Sequence, residues 1–453
     1  MTDFKSLGVS NWILAQLKEV GILKPTPVQV SCIPPILDGR DCVGVAKTGS
    51  GKTLAFAIPI LQTLSEDPYG IYALILTPTR ELAFQISDQF NVIGTGMGLR
   101  TCVVVGGRDT IMQSKDLDKR PHVVIATPGR LADHIENNST FSLSKIKYLV
   151  MDEADRLLEG GFDGQLSEII SALPKNRQTL LFTATNSPII GETVSACPNN
   201  PHVWECETVG ETATVSTLEQ RFILTPFEAK NAYLVQLVLE TREKKPKDSI
   251  MIFTRTCKTA ELLERTFIKI GVSCSSLHSM KPQKERMSSL SQFKSNHTKV
   301  LIATDVASRG LDIPEVQLVV NHNVPSAARD YVHRVGRTAR AGRVGRAVTL
   351  VTPTQVGLLQ DIEKETKVRM EELSIDDTRV GEIILQVNTT LREVDIELGE
   401  QDWDEKKNIN KRKKIILEGK NPDQVQMEKE KRIKKRKQAS KEKRKKMKKT
   451  DGP

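Results

Sequence analysis

The sequence predicts an α/β protein: two tandem parallel-sheet domains followed by a basic C-terminal extension. Three observations predict it. A glycine-rich loop, Ala46 to Thr53, stands between an apolar run and a helix-like run. Further apolar runs follow, and each stops at a loop of small, hydroxyl or arginine residues that opens a helix, the pattern of a parallel sheet. After a polar stretch the alternation resumes without a second glycine-rich loop. A chain of 453 residues allows about three domains. The boundaries read as 1–205 and 218–365 for the sheet domains, 206–217 for a linker, 366–403 for a helical extension and 404–453 for a basic tail.

Cys42-Val43-Gly44-Val45 feeds the loop Ala46-Lys47-Thr48-Gly49-Ser50-Gly51-Lys52-Thr53, and Leu54-Ala55-Phe56-Ala57-Ile58 follows it. A glycine-rich turn alone is often only a turn. Here Gly49 and Gly51 let successive N–H groups point inward at phosphate oxygens, and the following helix adds its positive end. Lys52 is placed to reach the β- and γ-phosphates of a nucleotide, and the Thr53 hydroxyl to ligate Mg²⁺. Ala46 stands where the general pattern has Gly. Upstream, Pro25 and Pro27 stiffen the chain, Thr26 suits the N-cap of a helix beginning near Val28, and the Gln29 amide matches the N7/N6 edge of adenine. Phe4 could stack on that base.

Downstream, Tyr72 to Leu76 reads as a strand ending at Thr77-Pro78-Thr79-Arg80. Cys102 to Val105 ends at Gly106-Gly107, and Val123 to Ala126 at Thr127-Pro128-Gly129-Arg130. In a parallel sheet these ends share one edge, where ligands bind. Hydroxyls, arginines and helix N-termini there suit a sugar–phosphate strand whose bases are not read. Tyr148 to Met151 ends in Asp152-Glu153-Ala154-Asp155. Beside a phosphate loop, one such carboxylate can hold Mg²⁺ and the other orient an attacking water. Thr179 to Phe182 reads as the final strand of this half, ending at Thr183-Ala184-Thr185.

Asp152-Glu153-Ala154-Asp155 resembles the signature of the DEAD-box RNA helicases, and the preceding loops resemble that family's motifs in the family's order. The resemblance implies two RecA-like domains that close together on ATP–Mg²⁺ and single-stranded RNA. In the second half, strand-like runs at Ile250 to Thr254, Lys299 to Ala303 and Val316 to Val320 alternate with helical stretches. Phe253 to Thr256 resembles the family's fourth motif, and His278 to Arg286 its Gln-x-x-Arg element. Thr304 to Asp312 and His333 to Arg340 resemble its fifth and sixth. If the last segment is helical, Arg337 and Arg340 are spaced i, i+3 and share a face, which suits a triphosphate held by the other domain.

Residue by residue, the resemblance implies that Phe4 stacks on adenine and Gln29 reads it. The loop from Ala46 to Thr53 holds phosphates, with Lys52 on phosphate and Thr53 at the metal. Asp152 holds Mg²⁺ through water, and Glu153 positions the nucleophile. Gly310 and Asp312 face the nucleotide, and Arg337 and Arg340 contact its γ-phosphate. Arg80, Gly107, Thr127, Arg130, Arg286 and Thr304 grip the RNA backbone. Asp155, Thr183, Thr185, Gln283 and His333 couple the two sites. Ile22, Ser279 and Thr183 depart from the family's usual aromatic, Gly and Ser, and Ala46 from Gly; none removes a catalytic group. The resemblance covers about Met1 to Glu365.

Charge is unevenly placed. The net charge is +10, yet Glu405 to Pro453 carries 21 Lys and Arg against 7 Asp and Glu. That is about +14, leaving about −4 on the rest. A nucleic-acid site in the body is therefore a local patch. Val380 to Leu398 has the pattern of an amphipathic helix, whereas Lys431 to Lys449 cannot bury a core and reads as solvated. The tail resembles that of the subgroup around DEAD-box helicase 49, which implies a monomer in the nucleus and nucleolus, acting on pre-rRNA with ribosome-assembly proteins. Seven cysteines without a C-x-x-C pair suggest neither a disulfide framework nor a zinc site and point to a reducing compartment. No run approaches the length of a membrane span, and no secretory signal pattern opens the chain. Two other classes compete: an RNA clamp that hydrolyses little ATP, against which Glu153, Arg337 and Arg340 argue, and a DNA helicase, against which the acidic body and Gln29 argue.

Overall fold

Cys42–Val45 forms β1, and all four residues are buried, as a strand covered on both faces must be. The computed structural model describes residues 3–46, 49–137, 141–159, 161–184, 201–206, 218–305, 316–339 and 344–400. Around β1 lie β2 (Ala73–Leu76), β3 (Thr101–Val104), β4 (Val123–Ala126), β5 (Tyr148–Asp152), β6 (Gln178–Thr183) and β7 (His202–Glu205). Their order is β3-β4-β2-β5-β6-β1-β7, and every pairing is parallel.

The second sheet comprises β8 (Leu218–Leu224), β9 (Ile250–Thr254), β10 (Cys274–Leu277), β11 (Val300–Thr304), β12 (Leu318–Asn321), β13 (Gly345–Val351) and β14 (Glu371–Glu372). Its order is β10-β11-β9-β12-β13-β8-β14, again parallel throughout. Strand for strand this is the order of the first sheet, so one RecA-like topology occurs twice. Both sheets belong to one packed unit, Met1–Val387.

Because the strands run one way, each sheet gathers its C-terminal ends on one edge. The helices α3 (Lys52–Glu66), α4 (Arg80–Ile93), α5 (Thr110–Asp118) and α6 (Pro128–Asn137) follow β1, β2, β3 and β4 there, and α1 (Asn11–Glu19) and α2 (Pro27–Leu37) precede β1. Apolar side chains cover both faces of the first sheet. In one core Phe56 lies between Phe90 and Phe182, with ring centroids 6.2 and 5.2 Å away. Burying each such ring contributes about 1.5–3 kcal/mol, which fixes α3 against the sheet.

The structure corrects several sequence expectations. Thr179 to Phe182 is not the last strand of the first domain, because β7 pairs with β1 from Cys42↔His202 to Val45↔Glu205. Its His-Val-Trp-Glu sequence offers no apolar run, since an edge strand exposes alternate residues. The strand expected from Val316 starts at Leu318, and the Val316 N–H instead bonds the Arg337 carbonyl at 3.2 Å. β10 was also unread: Cys-Ser-Ser-Leu is polar yet buried, and Ser276 is satisfied there by Glu264 at 2.7 and 2.8 Å. A helix spans Asp377–Glu400, matching the amphipathic pattern. Linker residues 207–217 and the tail 404–453 lie outside the described residues. Among the described residues no helix is long and apolar enough to cross a membrane.

Candidate active site

The loop after β1 has the curled backbone its glycines predict. Gly49 and Gly51 take φ of 82° and 90°, the left-handed region that favours glycine. A Cβ at Gly51 would collide with the Gln29 amide. The Gln29 side chain is 1% exposed and engaged at both ends: Oε1 accepts from the Thr26 N–H at 3.0 Å, and Nε2 donates to the Gly51 carbonyl at 3.0 Å. It ties the first turn of α2 to the loop. The Ala46 N–H bonds the Thr183 carbonyl at 2.9 Å, and the Lys52 ammonium donates to the Ala46 carbonyl. Ser50 Oγ is buried without a hydrogen-bond partner, an oriented hydroxyl that suits a phosphate oxygen. Thr53 follows Lys52 in the first turn of α3 and is partly buried. Phe4 does not stand beside the loop as an open face; it is 3% exposed within the first core.

Opposite the loop, Asp152 closes β5 and Ala154–Glu159 forms α7. Glu153 between them has φ of 53°, a strained value for a residue with a side chain, and its N–H bonds Asp152 Oδ1 at 3.0 Å. Burial pushes the Asp152 carboxyl up to about 6 despite the nearby Lys52 ammonium. It also raises Glu153, against the pull of Arg156 and Arg337. Burial lowers Lys52, opposed by Asp152, Glu153 and Asp155. Asp155 is buried beside them. Among the described residues no group of three or more acidic, His or Cys side chains could hold a metal alone. A buried Asp beside Lys52, with the Thr53 hydroxyl next in the chain to that lysine, fits Mg²⁺, which keeps several waters and takes one or two protein oxygens plus phosphate.

Arg337 is 2% exposed and lies within electrostatic reach of both Lys52 and Glu153, so a residue of the second domain belongs to this centre. It is not on a helix. The helix Ala328–Val335 ends before it, so the expected i, i+3 pairing with Arg340 has no helical basis. Its carbonyl is held by Val316 instead.

A second cluster forms where β2, β3 and β4 end. The Arg80 guanidinium lies over Gly106 and Gly107; a Cβ at Gly107, whose φ is 81°, would strike it. Arg130 donates to Thr110 Oγ1 at 2.6 Å and to the Arg108 carbonyl at 3.3 Å. Thr127 sits at the mouth of α6, and Leu131 bonds its carbonyl at 3.2 Å. Glu81, 2% exposed, accepts from Arg286 at 2.7 Å and from Gln283 at 2.9 Å, joining the first domain to the second. Burial and then Arg286 and Arg130 disfavour the Arg80 charge, so three guanidiniums face one another here. Thr304 is buried at the end of β11, and His333 is half-buried on Ala328–Val335.

The comparisons follow this geometry. The DEAD/DEAH box helicase family matches residues 26–192, and the helicase conserved C-terminal domain matches residues 229–342. The chain is 53% identical over 426 residues to the probable ATP-dependent RNA helicase DDX49 of Homo sapiens, covering 93% of this chain and 88% of that one. It belongs to the DEAD-box helicase family. The ATP-dependent RNA helicase DBP8 of Debaryomyces hansenii is 46% identical over 432 residues, 92% of this chain and 97% of the relative. Among solved structures, S. cerevisiae Dbp5 bound to RNA and ADP BeF3 is similar with a TM-score of 0.75 and 29% identity, covering 86% of this chain and all of that one.

Two elements of this DEAD-box helicase were missed in the sequence. Glu81 follows Arg80 directly, but no motif rule separates it from an ordinary first-turn acid. Arg334 reaches Asp305 through two bonds of 2.6 and 2.7 Å and stacks over Phe253 at 5.3 Å, locking the helix that carries His333 to β9 and β11. Its place next to His333 in the sixth motif was the only signal. Lys47, Thr48, Thr185, Gly310, Asp312 and Arg340 lie outside the described residues.

Proposed function

We propose that this DEAD-box helicase hydrolyses ATP to clamp and bend one RNA strand, prying short duplexes apart non-processively, in pre-rRNA maturation for the small ribosomal subunit. The observation that carries the ATP-driven part is Arg337, a second-domain residue within reach of Lys52 and Glu153 of the first. A site assembled from two domains makes closure a condition for hydrolysis, the logic of an arginine finger.

In this reading Gly49, Ser50 and Gly51 cradle the phosphates with Lys47 and Thr48, and Lys52 neutralises them. Gln29 reads the adenine, with Phe4 supplying the ring beneath it once the Phe4 segment opens. Thr53 and Asp152 hold Mg²⁺, whose charge offsets that building on the phosphates. Glu153 accepts a proton from the attacking water and aligns it, while Arg337 and Arg340 stabilise the transferred phosphoryl group. Gly310 and Asp312 hold the nucleotide from the second domain. Arg80, Gly107, Thr127, Arg130, Arg286 and Thr304 take RNA phosphates, which needs no base reading. Asp155, Thr183, Thr185, Gln283 and His333 pass closure between the two sites.

The protein acts as a monomer in the nucleus and nucleolus with ribosome-assembly proteins. The basic tail and its resemblance to the helicase 49 subgroup support that assignment. Crosslinking the protein to RNA in cells and sequencing the bound fragments tests it. Enrichment of small-subunit precursor sequences is expected, and an even spread over messenger RNA would overturn the rRNA assignment.

A further inference from the structure

Outside the ATP and RNA clusters, one set of side chains has the makeup of a reactive centre. Cys257 is the first residue of the helix Cys257–Lys269, whose N-cap Thr256 accepts from the Thr259 N–H at 3.1 Å. The thiol thus meets the positive end of a helix, which favours a thiolate. His278, 0% exposed just past β10, lies within electrostatic reach of it, and His278 Nε2 lies 3.0 Å from Glu261 Oε2 while its other ring nitrogen, Nδ1, is buried. Glu261 is one turn beyond Cys257 on the same helix and also accepts from Arg265 at 3.0 Å. Ser279 Oγ sits 3.4 Å from the sulfur. The remaining charges nearby, Glu264 and Lys281, pair with each other at 2.7 Å.

We propose that Cys257 is a modification site, a thiolate that hydroperoxides oxidise to a sulfenic acid with His278 as proton donor and Glu261 as the group that orients it. The sulfur attacks one peroxide oxygen, so an S–O bond forms and the O–O bond breaks. Sulfur gives up two electrons, and the departing oxygen takes the His278 proton and leaves as water from hydrogen peroxide or as an alcohol from an organic hydroperoxide.

The electrostatics agree. Burial raises the Cys257 thiol, but the interactions with the His278 ring and the Ser279 hydroxyl outweigh it and bring the group down to about 7. Burial lowers His278, and its bonds to Cys257 and Glu261 more than reverse that. Other cysteines are unlike it. Cys32, Cys42, Cys102 and Cys274 are buried, and burial pushes Cys102 and Cys274 up to about 12. Cys206 is partly exposed at the end of β7 but away from such a cluster, and Cys197 lies outside the described residues.

The test uses the full-length protein without nucleotide or RNA, so it stands apart from the helicase reading. Hydrogen peroxide is added between pH 6 and 9, sulfenic acid is trapped with dimedone, and each cysteine peptide is quantified by mass spectrometry. At pH 7 a thiol titrating near 7 is about half thiolate, against about 1% for one near 9. Lower nucleophilicity returns about tenfold of that, so Cys257 should react about five-fold faster than an added small-molecule thiol that titrates near 9. Its rate should rise to half-maximum near pH 7, and His278→Gln should move that midpoint towards the ordinary thiol range. Should that variant fail to fold, the wild-type profile decides alone. Reaction no faster than that reference thiol, or a wild-type midpoint near 9, would overturn the proposal.

Discussion

Gln29 does two jobs with one amide. Its carbonyl and its amino group are both spent on the protein, at Thr26 and Gly51, so a base read there, as proposed, shares donors and acceptors already in use. In the proposed reading the side chain that positions the phosphate loop also senses the adenine. The amide matches adenine, but guanine presents an acceptor at O6 where adenine presents a donor. Gln29→Ala should weaken ATP binding and the ATP-over-GTP preference by roughly 1–3 kcal/mol. Nucleotide titrations of the two proteins check this, and an unchanged ATP/GTP ratio would remove Gln29 from the base site. At this scale the sequence was most legible. Lys52, Asp152 and Glu153 all converge because loop glycines and strand ends dictate local geometry. The left-handed backbone at Glu153 was not legible, since no glycine marks it.

At the scale of elements, the junction of α4 with the helix Gln283–Lys294 rests on Glu81. A buried carboxylate taking two charged or polar donors contributes about 1.5–3 kcal/mol for a bond to a charged partner. Glu81→Ala should lower maximal RNA-stimulated ATP turnover about tenfold or more while nucleotide affinity stays within about twofold. Unaltered turnover in steady-state assays would show that the junction does not transmit closure. This junction was invisible in the sequence because it joins residues 202 positions apart, and contact across domains leaves no local period. Strands were legible where both faces are buried, as in β2 and β4, whose runs are continuously apolar. β7, β8, β10, β13 and β14 escaped: β7 is an edge, the polar residues of β10 are satisfied internally by Glu264, β8 is broken by polar residues, β14 is polar, and β13 was not read although it is buried. The expected helix beneath Arg337 failed for a different reason: the chain turns after Val335 so that Arg337 can point at the first domain's site.

At the scale of the whole molecule, charge and chemistry are separated. About +14 sits in the tail against about −4 elsewhere. Lysine-rich segments bind phosphates through counterion release, so their contribution falls steeply with salt. Deleting everything after Asp404 should raise the RNA concentration for half-maximal ATPase at low salt and flatten the salt dependence. Turnover at saturating RNA should stay within about twofold, because only uniform binding is lost. Superimposable RNA titrations at two salt concentrations would refute a tethering role, and a collapse of maximal turnover would show that the tail acts on the catalytic domains. Two copies of one sheet bring Arg337 of the second within reach of Lys52 and Glu153 of the first, and in the proposed reading ATP and RNA binding depend on the same closure. The most direct measurement is displacement of a short RNA duplex alongside RNA-stimulated ATP hydrolysis, comparing wild type with Glu153→Gln. The wild type should displace the strand only with ATP, and the variant should bind ATP and RNA together yet turn over on the order of 10²-fold more slowly. Near-normal turnover by the variant, or displacement by the wild type without nucleotide, would contradict it.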